Sequence, residues 1–375
     1  MRLADTSRGL EVVLGGLKVG TLAKSKEGLI AFQYDSDWLS DGYSINPYNL
    51  PLTSKLFMPE WQPFGGLFGV FHDSLPDGWG ALLLDRMLRR EGLNPSEIDP
   101  LDRFAFVGSS GRGALEYRPQ SEFSFSGVPS SLDDLAFWCQ EILDDRSVEN
   151  LDAVFAAGGM AGGARPKVYV NDDEGSWIVR FPSRFDPERI GVIEYEYALA
   201  AKTCGIEVPE VKLFPSSRCE GYFGTRRCDV LENGERRHML SASAIVEVSH
   251  HLPSLDYKNL FQISTFLGGS QFEAKRLFRL MSFNVFAHNQ DDHSNNFTWV
   301  CDRKGNWSLS PAYELTYSSN VYHQHAMSVS GNGLPEKPDL LALAKEVGLS
   351  ANWSRRTIRK IREVSEDLLS RLHLR

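Results

Sequence analysis

Cysteine is scarce in this chain and poorly arranged for cross-linking. Five occur, at Cys139, Cys204, Cys219, Cys228 and Cys301, with no Cys-x-x-Cys pair. An odd, scattered set argues against a disulfide scaffold or a thiolate zinc site and points to reduced thiols in a cytosol. Long apolar runs are missing too. The longest uncharged apolar-rich stretch, residues 61–72, is too short to span a bilayer. The opening Met-Arg-Leu-Ala-Asp-Thr-Ser-Arg lacks the apolar core of a secretion signal, so the expected location is cytoplasmic, with no membrane role. Nor is positive charge in excess: 40 Lys and Arg against 49 Asp and Glu leave a net charge of −9. That argues against a chain whose main task is to coat nucleic acid, while leaving room for a local basic face. No internal repeat and no low-complexity tract is seen.

What remains is an ordinary globular composition. Hydrophobic residues make up 42% and charged residues 24% of 375 positions, enough for a sizeable core in two or three domains, or in one large two-lobed enzyme. Residues 10–34 are short β-rich runs punctuated by glycine pairs, which predicts hairpins of an antiparallel sheet. Apolar residues at helical spacing over 79–91 predict a helix, with Asp77 placed to cap it. Residues 104–117 are read as a return to strand, and the Pro, Ser and Gly of 119–130 as a linker. A helix is expected over 132–143. A glycine-rich loop, residues 156–168, then leads into a strand, and glycine lets backbone approach phosphate oxygens while successive N–H groups form an anion nest. Another strand is expected at 176–182. Glu194 is taken to open a helix that Gly205 stops. Strands follow at 208–214 and 222–229. From about 255 the texture is helical, with a dense apolar helix over 273–287 and a small hairpin across Lys304-Gly305. Two closing helices lie around 340–346 and 355–372. The basic cluster Arg355, Arg356, Arg359, Lys360 and Arg362 is weighed as a solvated face against a nucleic-acid contact.

The most informative stretch is residues 286–317. In Asp-Asp-His-Ser-Asn-Asn, Asp291 precedes Asn296 by five positions, as in a protein-kinase catalytic loop. There the Asp orients and deprotonates the attacking hydroxyl and the Asn holds magnesium. Glu314, eighteen positions past Asn296, is placed to supply a second magnesium carboxylate. An isolated Asp-Asp-His would more often be a solvated loop, but the flanking Asn residues and the Pro-Ala-Tyr-Glu downstream weigh against that.

The stretch resembles the catalytic segment of HipA-family kinases, the toxin halves of bacterial toxin–antitoxin pairs. Asn289, Asp291, His293 and Asn296, then Pro311, Tyr313 and Glu314, carry the likeness. Further matches are Leu-Pro-Asp-Gly-Trp at 75–79, the Val-Gly-x-x-Gly-x-Gly-Ala-Leu-Glu-Tyr run at 107–117, and the loop signature Gly-Gly-Ala-Arg-Pro-Lys at 162–167. The resemblance implies an α+β, protein-kinase-like two-lobed fold. Residues 1–125 would be an accessory β-rich subdomain, preferred as a packing module without chemistry. Residues 126–235 would be the N-lobe-like region with the glycine-rich loop, and 236–375 the helical C-terminal lobe.

It also implies ATP and Mg2+ as cofactors. Gly162, Gly163, Ala164, Lys167 and Arg180 would hold phosphates, with Glu194, or its competitor Glu196, pairing the strand cation. Backbone at Arg227 and Cys228 would meet adenine, and Asp229 would face the ribose. Asp291 would be the base, His293 would steady the loop or touch the γ-phosphate, and Asn296 and Glu314 would hold metal. The implied partners are a protein substrate such as an aminoacyl-tRNA synthetase or another translation factor, and a HipB-like helix-turn-helix antitoxin through which alone DNA is met. This chain departs from the family at Glu314 for Asp, Arg180 for Lys and Asn295 for Lys. It also has Met160-Ala161 where members often carry a Ser whose self-phosphorylation switches the enzyme off. Two other readings are kept open: a catalytically weak or inactive pseudokinase that binds nucleotide or antitoxin, and a metal-dependent hydrolase built on Asp291, Asp292, His293 and His288.

Overall fold

Two glycines set the first turn. Gly15 and Gly16, at φ of +58° and +85°, occupy the left-handed region that a two-residue hairpin loop requires. In the computed structural model they join β1 (Leu10–Leu14) to β2 (Leu17–Lys24), with Leu14 opposite Leu17. The structure describes all residues except 124–130, 147–148, 253, 319–322 and 375, so the expected linker lies outside the described residues from 124 onward. The chain divides into two compact units. One comprises Met1–Gly191 with Lys212–Met239, the other Val192–Val211 with Leu240–Arg375.

In the first unit, β3 (Ile30–Tyr34) and β4 (Leu115–Arg118) extend the hairpin to an antiparallel sheet ordered β3-β2-β1-β4. Leu10, Val12, Val19, Leu22, Ile30, Phe32 and Tyr117 are its fully buried residues. Around it stand α1 (Ser36–Asp41), α2 (Gly69–His72), α3 (Gly78–Arg90) and α4 (Pro100–Val107). The strand expected from Phe104 is therefore a helix as far as Val107. Asp99 caps it by accepting from the Leu101 N–H at 2.9 Å, Pro100 starts it, and Gly108 stops it at φ +50°. Those end signals outweigh the β-friendly look of Phe-Ala-Phe-Val.

Also in this unit, α5 (Leu132–Leu143) packs on α6 (Leu151–Gly158), which packs in turn on α3 and on β5 (Lys167–Asp172). The glycine-rich loop is thus shorter than expected, because the alanine-rich run at 156–158 finishes α6. A second sheet, ordered β5-β6-β8-β7, adds β6 (Gly175–Arg180), β7 (Val211–Phe214) and β8 (Tyr222–Arg226). Chain on both sides of residue 125 belongs to this one unit.

Most of α7 (Ile190–Thr203) lies in the second unit, ending at Gly205 with φ +77°. Glu194 sits in its second turn and does not open it. The preceding Ile-Gly-Val-Ile has poor helix propensity, which hides that first turn in the sequence. A three-stranded sheet ordered β11-β10-β9 is made from β9 (His238–Ser241), β10 (Thr298–Cys301) and β11 (Trp307–Leu309). The helices are α8 (Ala242–Val246), α9 (Tyr257–Phe266), α10 (Gln271–Phe286), α11 (Lys337–Glu346) and α12 (Ala351–Arg371). A capping box between Asp256 and Asn259 starts α9. α10 packs on α9 and α12, with Leu277, Phe278, Met281 and Phe283 buried, so its Met and Phe stripe is core. Each such side chain contributes about 1.5–3 kcal/mol by leaving water. On α12 the buried face is Ser354, Ile358, Ile361, Ser365 and Leu368, while Arg355, Arg356, Arg359, Lys360 and Arg362 are exposed. Among the described residues no helix is long and apolar enough to cross a membrane.

Candidate active site

Lys167 and Arg180 are register partners across β5 and β6, and both are buried. Cations facing each other on adjacent strands repel, so each needs an acceptor close by. Lys167 Nζ donates to Gly162 O at 2.6 Å. Gly163 has φ +87°, and a Cβ there would come within 2.5 Å of Lys167 Nζ; one on Gly162 would come within 2.9 Å of Asp77 Oδ1. The loop therefore needs glycine for close approach as well as for conformation. Asp77 accepts the Gly163 N–H through Oδ1, and Gly163 O accepts the Trp79 N–H at 2.9 Å. Asp77 occupies the N-cap position of α3 yet makes no side-chain cap bond to it, because its carboxylate goes to the loop.

Arg227 and Asp229, expected near the nucleoside, form a buried two-point ion pair. Nε and Nη2 donate to the two carboxylate oxygens at 3.0 and 2.6 Å. Asp229 also accepts the Gly113 N–H at 3.1 Å. Burial pushes its pKa up, but the bonds and charge of Arg227 outweigh this and hold it below the ordinary carboxylate value. The Arg227 guanidinium lies 4.4 Å from the centre of the Tyr169 ring, and burial pushes the Cys228 thiol up to about 11. The Asp229 carboxylate is thus engaged by protein groups and ties the end of β8 to the 107–117 segment.

In the second unit Glu194 is buried, 2% exposed, whereas Glu196 pairs at the surface with Arg371 at 2.9 Å. Of the two candidates, Glu194 is the interior one. The catalytic segment follows α10 directly. His288 takes φ +53°, which turns the chain out of the helix, and burial and His325 push its imidazole pKa down. Asn289 and Ser318 then pair as an isolated parallel bridge. Ser318 Oγ donates to Asn289 Oδ1 at 3.1 Å and accepts the Asp291 N–H at 2.9 Å. Asn289 Nδ2 reaches Asn284 Oδ1 at 3.1 Å and the Glu314 carbonyl at 3.2 Å. Asn296 Nδ2 donates to the Asp291 carbonyl at 2.7 Å. The segments carrying Asp291, Asn296 and Glu314 are therefore linked through backbone carbonyls.

The adjacent carboxylates have opposite surroundings. The Asp291 side chain is 68% exposed, with His293 Nε2 standing 3.8 Å away. Asp292 is buried and accepts from Tyr257 OH at 2.6 Å, His325 Nδ1 at 2.9 Å, and the N–H groups of Ala326 at 2.9 Å and Met327 at 3.4 Å. Asn284 Nδ2 donates to Tyr257 OH at 3.0 Å, and burial with the Asp292 charge pushes that phenol well above its usual range. This network pins the segment to α9 and α10. Nothing in the sequence pattern singled out Tyr257, Asn284 or Ser318, since their importance lies in contacts 27 to 35 residues away.

Asn296 and Glu314 carry the ligand types that a magnesium ion would require. Asn296 directs its amide nitrogen to a carbonyl and keeps its oxygen as a donor, and Glu314 adds a carboxylate, the hard oxygen set magnesium prefers. The hydrolase reading fits less well, because Asp292 is committed to four protein donors. Among the described residues no group of three or more His, Cys, Asp or Glu could hold a metal. Asn295, where the family often has Lys, donates to His250 Nδ1 at 3.0 Å, and its carbonyl accepts Tyr313 OH at 2.7 Å.

Two family models match: a HipA-like C-terminal domain over residues 159–368, and a HipA N-terminal domain over residues 10–118. The putative kinase Y4dM of Sinorhizobium fredii is 25% identical over 335 residues, covering 82% of this chain and 76% of the relative. Among solved structures, a chain of the Shewanella oneidensis MR-1 toxin–antitoxin complex of HipA, HipB and operator DNA matches with a TM-score of 0.72. It covers 97% of this chain and 91% of that one at 18% identity. The fold is α+β, two-lobed and kinase-like, as the sequence led one to expect.

Proposed function

The chain belongs to the HipA family, and we propose that it is a protein kinase that transfers the γ-phosphoryl group of ATP to a Ser or Thr hydroxyl of a protein. The observation that carries this reading is the contrast at 291–292: one carboxylate exposed, its neighbour buried as an anchor, with Asn296 bonded to the carbonyl of the first. Asp291 accepts the proton of the attacking hydroxyl. His293, 3.8 Å from Asp291, steadies that carboxylate. The N–H groups of Gly162 and Ala164, with Lys167 and Arg180, bind phosphate oxygens, while the Gly163 N–H is held by Asp77 and shapes the loop; Glu194 orients the strand cation. Asn296 and Glu314 would hold magnesium, which when bound neutralises phosphate charge. Labelled ATP incubated with a cell extract and the full chain is expected to label protein. The Asp291→Ala variant should not, and equal labelling by both would sink the reading.

The same reading makes the chain a toxin restrained by a HipB-like helix-turn-helix antitoxin, with translation factors such as aminoacyl-tRNA synthetases as the substrate class. DNA is met only through the antitoxin. The support is family membership and the fold shared with a HipA from a HipB–operator complex. Phosphoproteomics of cells expressing wild type against Asp291→Ala identifies the substrate. The competing reading, a nucleotide-binding pseudokinase, is favoured by Glu314 and Arg180 standing where the family has Asp and Lys. It is distinguished by retention of ADP binding without any phosphoryl transfer.

A further inference from the structure

The accessory subdomain carries a residue whose role the catalytic segment does not explain. Asp77 sits in Leu-Pro-Asp-Gly-Trp, at the start of α3, a position that ordinarily bonds its own helix. Here it takes the N–H of Gly163 in the phosphate loop, 86 residues away. The same residue is held through its next peptide as well, since Gly163 O accepts the Trp79 N–H at 2.9 Å. One loop residue thus has both backbone groups engaged by the first residues around α3. The fit is close. A Cβ on Gly78 would come within 2.6 Å of Gly163 O, and one on Gly80 within 2.5 Å of Ala161 O.

The geometry points to Asp77 as a positioning residue for nucleotide: its carboxylate fixes the Gly163 peptide so that the neighbouring loop amides and Lys167 keep the shape that phosphate requires. Glycine-rich loops lose the most conformational freedom on ordering. A loop held in place before nucleotide arrives avoids that loss on binding. The module preferred above as packing alone then contributes to nucleotide affinity without touching nucleotide. This inference rests on the kinase reading.

The experiment uses the full chain with ADP as probe, in wild type, Asp77→Ala and Asp77→Asn, together with backbone amide exchange over 159–166 without nucleotide. Asp77→Asn keeps the acceptor oxygen. Expected are a roughly tenfold weaker ADP dissociation constant and KM for ATP in Asp77→Ala with kcat nearly kept, recovery to within about threefold in Asp77→Asn, and faster Gly163 exchange in Asp77→Ala alone. ADP binding by Asp77→Ala equal to or tighter than wild type would overturn the inference while leaving the kinase reading intact. So would Asp77→Asn binding as weakly as Asp77→Ala. Wild type that binds no ADP sinks the kinase reading instead, and amide exchange then still decides whether the clamp exists. If Asp77→Ala fails to fold, Asp77→Asn against Asp77→Ser makes the same comparison of acceptor reach.

Discussion

Asn296 donates its side-chain amide to the backbone carbonyl of Asp291, 2.7 Å away, across one short turn. The bond ties the Asn296 side chain to the backbone unit that carries Asp291, so the two residues proposed as metal ligand and base share one anchor. Five residues of spacing in the sequence become a fixed geometric relation because residues 294–296 form a single 3-10 turn.

The two adjacent carboxylates should separate activity from stability. Asp291→Ala is expected to lower phosphoryl transfer by about 10²- to 10⁴-fold while changing unfolding free energy by less than about 0.5 kcal/mol. Asp292→Ala leaves four donors without their acceptor and is expected to cost about 3–5 kcal/mol. Urea denaturation of both variants checks this, and similar losses of stability would contradict the assignment of Asp292 as anchor.

Tyr257→Phe removes one hydroxyl that bridges Asp292 and Asn284. The expected loss is about 1–3 kcal/mol, the penalty of stranding buried polar groups. Amide exchange across 289–296 should quicken more than exchange in α12.

Asp229→Ala tests whether the Arg227 pair is structural. Removing one partner of a buried ion pair is expected to destabilise by about 3–5 kcal/mol. Asp229→Asn, which keeps an acceptor for Gly113 N–H, should lose less. If instead Asp229→Ala folds like wild type and only weakens nucleotide binding, the carboxylate belongs to the ribose.

His238 is fully buried, with Nε2 2.7 Å from Ile45 O, and burial pushes its pKa down to about 4. The unfolded chain binds the extra proton near pH 6.5, so between pH 6.5 and 4 it holds more protons than the folded chain. Stability is fully present above that window and falls as pH drops through it, by at most roughly 3 kcal/mol. His238→Gln should flatten the slope there, as followed by denaturant midpoints at each pH.

Glu314 adopts φ +53°, a left-handed conformation that Asp tolerates better than Glu. Glu314→Asp is therefore expected to fold at least as well as wild type and to need a lower magnesium concentration for half-maximal transfer. Chelation of magnesium should abolish transfer in both. A higher magnesium requirement in Glu314→Asp would show that the longer side chain is needed here.

Local rules sufficed wherever neighbours in sequence do the work. Gly15-Gly16, the helix at 132–143, the stop at Gly205 and the apolar face of α10 all follow from turn residues and periodicity. The nearness of Asp291 and Asn296 was legible because a five-residue spacing keeps the two within one short turn. The sequence misleads where β-friendly residues or poor helix propensity dominate: Phe-Ala-Phe-Val disguises α4 despite its Asp99-Pro100 start, and Ile-Gly-Val-Ile hides the first turn of α7. What only tertiary structure decided is the partner of each polar group. Asp77, Asp229 and Asp292 look alike in the chain, three carboxylates beside plausible motifs. Folding gives one a loop amide, one an arginine and a distant amide, and one a buried tyrosine and histidine. A hydrogen bond depends on distance in space, and no local pattern encodes a partner dozens of residues away.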